Sequence, residues 1–477
     1  MSMLCLAEES MIRSPGILLF ALGYAAICMS IASSLGMLLV PSVAAEFGIP
    51  VATAQWMLTV NMLCGAVTTP IVGRLIDGRY KRALLLTVLA IVLVGSIIAS
   101  LATDFGVFLV GRALQGLTFG IGPIAIALAR TQLPSPMVPR SIAALAITAA
   151  TGLGLGYPLT GVLSGLFGFR SAFVFAIVFV ITVAIVVLIA MPGGADPAVT
   201  RQPFDLAGAV LFGACLGALI LLIAEAPAFG WGSAPVILLG LVFIGSLVLW
   251  VIVETRAAYP LTDVRVMRDP DVLLANGTGF AFGVTMFICL SVTSLVTQLP
   301  SGSGYGAGVP LVWAGLVMLP FSVGTITASR VFEWARRRVD PSLLLPAGAV
   351  CLPIALTLLA VGHDELWQLL IGTLMCGFGT GITFGAMPVL ISRRVAPWRV
   401  GSALSFNAVM RTAGNTVGAA IPGSVFAATM TATGVPSNRG IILAFSIGAG
   451  IGAVAAIGIV VALLTRPHPD PLRVSES

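Results

Sequence analysis

From residue 17 to residue 464 one pattern repeats: a run of about 20 residues almost free of charge, then a short loop where charge gathers. A bilayer core about 30 Å thick takes about 20 apolar residues of helix to cross, at about 1.5 Å per residue. Fourteen segments meet that length: roughly 17–41, 54–72, 83–102, 105–129, 141–166, 171–191, 206–225, 234–253, 273–297, 311–329, 342–361, 366–389, 402–429 and 440–464. Composition agrees, with 58% of residues hydrophobic, 9% charged and a mean hydropathy of +1.09, where a soluble domain carries about 25% charged residues. The expectation is an all-α polytopic membrane protein, because a helix satisfies its own backbone groups in lipid.

The distribution of charge tests the count. Loops rich in Lys and Arg stay on the cytoplasmic side. With the N-terminus inside, 20 of the 24 basic residues fall in inside loops or tails. Only Arg170 and Arg439 fall outside, and Arg112 and Arg411 lie within spans. An odd span count would scramble this asymmetry, so an even number with both termini cytoplasmic is expected. The net charge of +6 is scattered over short loops, which argues against a nucleic-acid partner. The first sixteen residues hold Glu8 and Glu9 and lack a signal-peptide n-region, so no cleaved leader is expected. Seven cysteines show no zinc spacing, and His363 and His468 are isolated. No metal, cofactor or catalytic cluster is therefore expected, and the chain does not read as an enzyme.

Gly73 to Arg82, GRLIDGRYKR, is the first dense cluster of charge, with Gly73, Asp77, Arg79, Lys81 and Arg82 between spans 2 and 3. Its echo is SRVFEWARRR after span 10, where Glu333 stands 256 residues beyond Asp77. Gly152 and Gly156 of span 5 recur as Gly414 and Gly418 of span 13, 262 residues on. Similar offsets favour two parallel six-helix halves, residues 1–191 and 272–477, with an inserted helix pair within 192–271.

Polar residues inside the spans are the candidate functional groups. Arg112, Gln115 and Gly116 share one face of span 4, and Arg112 lies about 12 Å of helical rise from Asp104. An Arg at that depth costs at least ~2.5–3.5 kcal/mol and needs a cavity or a partner, unless it snorkels to the surface. Asn407, Arg411 and Asn415 recur every four residues on span 13, with Arg411 about 18 Å of rise beyond Arg399. Asn61 on span 2 and Asn276, Gly279 and Gly283 on span 9 either line a cavity or pack against a neighbour. In span 5, Gly152 and Gly156 make a small face for close helix approach, and Pro158 permits a bend. A dinucleotide loop is the other reading of GLGLG, but neither a flanking strand nor a downstream acid supports it. Every Asp and Glu can be placed in a tail, loop or span end. A neutral, anionic or zwitterionic cargo therefore fits this interior better than a lipophilic cation.

These motifs resemble the major facilitator superfamily. Gly73, Leu75, Asp77, Lys81 and Arg82 match its loop between helices 2 and 3, with Tyr80 where a second Gly usually stands. Arg112, Gln115 and Gly116 are similar to its span 4 motif, whose Arg is assigned to proton coupling. Gly156, Pro158 and Gly161 keep the outline of its antiporter motif, although Tyr157 intervenes and Thr160 replaces one Gly. PFDLAGAVLFG, YPLTDVRVMR and SALSFNAVMRTAGNTVGAA resemble segments of the fourteen-span drug/proton antiporters. The resemblance covers nearly the whole chain. It implies a bacterial plasma-membrane exporter of small amphiphiles, working as a monomer by proton-coupled alternating access, with Asp77 latching the cytoplasmic helix ends. The alternatives are a facilitator or importer of a small neutral or anionic metabolite, or a lipid-type exporter.

Overall fold

The computed structural model describes residues 15–76, 80–191, 205–257, 260, 264–265, 269–394, 400–431 and 435–464. Among these residues there is no strand, only an isolated bridge between Met430 and Pro436. Twelve helical segments are long and apolar enough to cross a membrane. Two further long helices, Val138–Phe167 and Val400–Ala428, stand where the fifth and thirteenth spans are expected. In chain order the segments are α1 Pro15–Phe47, α2 Val51–Leu75, α3 Lys81–Leu101, α4 Phe105–Gln132, α5 Val138–Phe167, α6 Arg170–Ala190 and α7 Leu206–Phe229. They continue as α8 Ala234–Arg256, α9 Pro270–Gln298, α10 Leu311–Ala335, α11 Pro341–Val361, α12 Leu366–Arg394, α13 Val400–Ala428 and α14 Asn438–Leu464.

Ends and breaks follow local chemistry. Asp104 caps α4 by accepting from the Val107 amide at 3.0 Å, and Asp205 caps α7 by accepting from Gly208 at 2.8 Å; each satisfies an amide that the first helical turn leaves orphaned. Gly48, at φ +62°, ends α1 in the left-handed conformation that costs Gly little. The α2 helix runs through Gly73 and Arg74 to Leu75, so the basic loop begins three residues later than the apolar run indicates.

Packing sets what each helix faces. In the first part of the chain α1 lies on α5, α3 on α4 and α6, and α2 on α4; in the last part α9 lies on α13 and α14, and α12 on α10 and α11. The two sets meet along α5–α10 and α2–α13, and the α7–α8 pair rests against α13 and α2. Much of α8 is exposed, including Ile237, Leu238, Leu241 and Ile244, as a lipid-facing helix is in a bilayer. At the end remote from the basic loop, Ser294 donates to the Met37 carbonyl (3.1 Å), Gln298 to the Leu38 carbonyl (3.0 Å) and Ser291 to Gln55 Oε1 (3.4 Å). Met37, Leu38, Gln55, Ser291 and Ser294 are all buried, so the two sets are sealed together at that end. Beside the seal, Phe47, Phe105, Phe108, Phe169 and Phe173 pack as tilted and edge-on rings 5.4–6.3 Å apart.

Candidate transport site

Arg112 is fully buried where α1, α2, α3 and α4 converge. Just past it the α-helix tightens into a 3₁₀ turn, Gly116–Gly120. Gly116 lies against α2 so closely that a Cβ there would sit 2.5 Å from the Asn61 carbonyl oxygen and 2.7 Å from Cys64 Cβ. The guanidinium donates to the Met57 carbonyl through Nε (3.3 Å) and to Gln115 Oε1 through Nη1 (2.5 Å). Gln115 in turn donates to Ser96 Oγ at 2.9 Å. Asn61 donates to the Arg112 carbonyl at 3.0 Å and is itself buried. The Nη2 group points at Gly36 on α1, whose missing side chain makes room for it, and has no hydrogen-bond partner among the described residues. The Phe173 ring completes the shell, its centroid 5.8 Å from Cζ. Neutral acceptors and an aromatic face thus hold this charge, each such hydrogen bond contributing about 1.5–3 kcal/mol.

Helix α5 presents small residues to two neighbours. Gly152 and Gly156 face α1 at Ile27, Ser30, Ile31 and Ser34, whereas Gly154 and Gly161 face α10. A Cβ on Gly161 would lie 2.7 Å from the Leu311 carbonyl oxygen and 3.2 Å from the Gly315 amide nitrogen. Gly315 closes the contact from the other side against the backbone of Tyr157 and Pro158. Tyr157 is buried, and Pro158 lies inside the helix without ending it.

The polar stripe of α13 faces α9. Asn407 donates to the Ala275 carbonyl (3.0 Å) and to Asn276 Oδ1 (3.2 Å), and both amide side chains are buried. Gly279 sits against Asn407, and Gly283 against the Arg411 carbonyl and Asn415. Buried Asn276 Nδ2 and Asn415 Oδ1 have no hydrogen-bond partner among the described residues. Arg411 differs from Arg112: it is only partly buried, and its Cζ stands 4.7 Å from the centroid of Phe384 on α12, which in turn lies 6.3 Å from the Phe282 ring of α9.

The basic-loop candidates are dispersed. Lys81 is buried at the start of α3, Arg82 donates to the Leu188 carbonyl at 3.0 Å, and Gly73 has open space around it. Glu333 pairs with Arg336 at 2.5 Å, one helical turn along, with both side chains about half exposed. Asp77 and Arg79 lie outside the described residues. Sequence reasoning missed Gly36, Met57, Ser96 and Phe384, residues that gain a role only through packing; Phe384 alone carried a signal, an aromatic ring between Gly381 and Gly385. It also passed over Glu254, a carboxylate with no exposed surface at the end of α8.

The Major Facilitator Superfamily model matches residues 20–419. The multidrug resistance protein Stp of Mycobacterium tuberculosis is 27% identical over 91% of this chain and 82% of its own length. The cephamycin export protein CmcT of Amycolatopsis lactamdurans is 28% identical over 90% of this chain and 87% of its own length. Among solved structures, a peptide transporter of the POT type in complex with sulfate has a TM-score of 0.68 at 14% identity, covering 94% of both chains. The nucleoside transporter NupG has a TM-score of 0.66 at 12% identity, covering 95% of this chain and 100% of its own; at these identities the likeness is one of fold. The chain is a multi-pass membrane transporter, not an enzyme, and belongs to the major facilitator superfamily.

Proposed function

We propose that this protein exports small amphiphilic molecules of the antibiotic or natural-product kind by alternating access, driven by the proton gradient. The observation that carries the reading is the seam between two helix sets. The sets are sealed at one end by buried hydrogen bonds, and at Gly161 and Gly315 helices α5 and α10 meet backbone to backbone. A seam of backbone against backbone can part and re-form as rigid sets rock. Relatives named for multidrug resistance and cephamycin export match nine-tenths of the chain, which supports export as the direction. By charge, the basic loops and both termini face the cytoplasm, so the sealed end faces outward. In this reading residues 1–191 and 272–477 are the two moving halves, the 192–271 pair is an insertion, and the monomer is the working unit in a bacterial plasma membrane. Arg112, with Gln115, belongs to the proton-coupling machinery, and the membrane potential supplies about 2.3 kcal/mol per charge per 100 mV.

The test is transport by purified protein in liposomes under an imposed pH gradient, with an interior pH dye and a panel of cationic, neutral and anionic antibiotics. Substrate-dependent proton movement that disappears in Arg112→Ala is the expected result. Substrate flux without proton movement would overturn the coupling and leave a facilitator.

A further inference from the structure

Two arginines lie within the spans, and the fold treats them differently. Arg112 has no exposed surface and donates to Met57 and Gln115, which leaves only its Nη2 without a partner among the described residues. Arg411 is partly exposed, and among the described residues its guanidinium makes neither a hydrogen bond nor an ion pair; its contact is the Phe384 ring, 4.7 Å away. The group lies eleven residues into α13, about 16 Å from the helix end by rise. Its exposure is not toward lipid. Val409 and Ala413, each two residues from Arg411 and so about 200° around the helix, are buried in a cluster with Ala66, Phe212 and Trp250 of α2, α7 and α8. Arg411 therefore projects from the opposite side, toward α9 and α12, where Phe282 and Phe384 stand.

A cation at this depth costs several kcal/mol unless a counter-charge or a set of acceptors meets it. An aromatic face meets part of that need, and no Asp or Glu among the described residues supplies the rest. We propose that Arg411, flanked by Phe384, is the recognition site for a carboxylate on the transported molecule, so that the cargo is a ring-bearing organic anion or zwitterion. The guanidinium fork matches a carboxylate with two parallel N–H···O bonds, and the Phe384 ring offers a stacking surface to the scaffold that bears it. This inference rests on the export reading for its biological sense but is tested by binding, which does not depend on it.

The probes are three naphthalenes of one size: anionic 1-naphthylacetate, neutral 1-naphthylacetamide and cationic 1-naphthylmethylammonium, titrated into detergent-purified full-length protein and followed by naphthyl fluorescence. The acetate is expected to bind at least tenfold tighter than the acetamide. In Arg411→Gln that ratio should fall to within twofold while acetamide affinity stays unchanged, which also shows that the variant is folded. Arg411→Lys should keep part of the preference, and Phe384→Leu should weaken all three probes severalfold without equalising them. Those last two variants carry the test should Arg411→Gln not fold. Wild-type protein that binds the amide or the ammonium as tightly as the acetate, or no acetate at millimolar concentration, overturns the proposal; so does an Arg411→Gln variant that keeps the preference. In liposomes, acetate binding without flux of any compound fails the export reading and leaves the anion site standing, whereas flux indifferent to charge and to Arg411 does the reverse.

Discussion

Arg112 is held by contacts that leave little slack at the scale of single residues. Its neighbours supply a carbonyl, an amide oxygen and a ring, and Gly36 and Gly116 supply the room. Arg112→Ala should reduce transport in the liposome assay at least a hundredfold while membrane abundance stays within about twofold, because Asn61 holds the backbone carbonyl of residue 112 and not its side chain. Gly116→Val has the opposite character. Its branched side chain would meet the α2 backbone and Cys64, and overpacking of that kind costs about 1–3 kcal/mol. A drop of several degrees in the apparent melting temperature of the detergent-purified protein is expected, and an unchanged value would show that α2 moves aside freely. By contrast the pair of Arg170 with Glu46, 3.2 Å apart and well exposed, should contribute less than about 1 kcal/mol, so Glu46→Gln should leave the melting temperature within about two degrees of wild type. The face shared by Arg112 and Gln115 was legible from their spacing, because helical periodicity is local. Met57 and Ser96 were not, because partners 55 and 19 positions away, Met57 for Arg112 and Ser96 for Gln115, are chosen by how helices dock.

At the scale of helices, α5 serves two neighbours. Its glycines meet α1 on one side and α10 on the other, and the sequence motif marked the small residues without saying which helix each would touch. Gly161→Leu should prevent α10 from closing on α5, since even a Cβ there would lie 2.7 Å from a carbonyl oxygen. Loss of the sealed arrangement is the expected outcome. In a cysteine-free background, a cysteine at Met37, a buried residue in the seal, should react severalfold faster with an impermeant maleimide added from outside once Gly161→Leu is present. Unchanged labelling would mean that the seam does not govern the seal. The inserted pair shows another division of labour: Phe212 and Trp250 pack toward the body with ring centroids 5.3 Å apart, while the far face of α8 stays bare. Apolarity all round both helices hid that distinction from the sequence.

For the whole molecule, charge and topology are joined. Twenty of the 24 basic residues fall at one end if the spans alternate, an asymmetry that predicts both termini in the cytoplasm. A cysteine added after Ser477 should then react with an impermeant maleimide only after cells are permeabilised; labelling of intact cells would reverse the orientation and with it the identity of the sealed end.

What the sequence determined by itself was the helical, membrane-spanning class, the approximate positions of the spans and the family. These follow from local quantities: the length of each apolar run, the cost of an unsatisfied backbone in lipid and the residues at motif positions. The tertiary structure alone decided the fates of Arg112 and Arg411. In the sequence each is a single arginine inside an apolar span, and each carries the same desolvation cost. Packing buries Arg112 among four helices and neutral acceptors, and it leaves Arg411 beside Phe384 without a hydrogen bond among the described residues, because which carbonyl or ring lies within reach of a guanidinium is set by how distant segments dock.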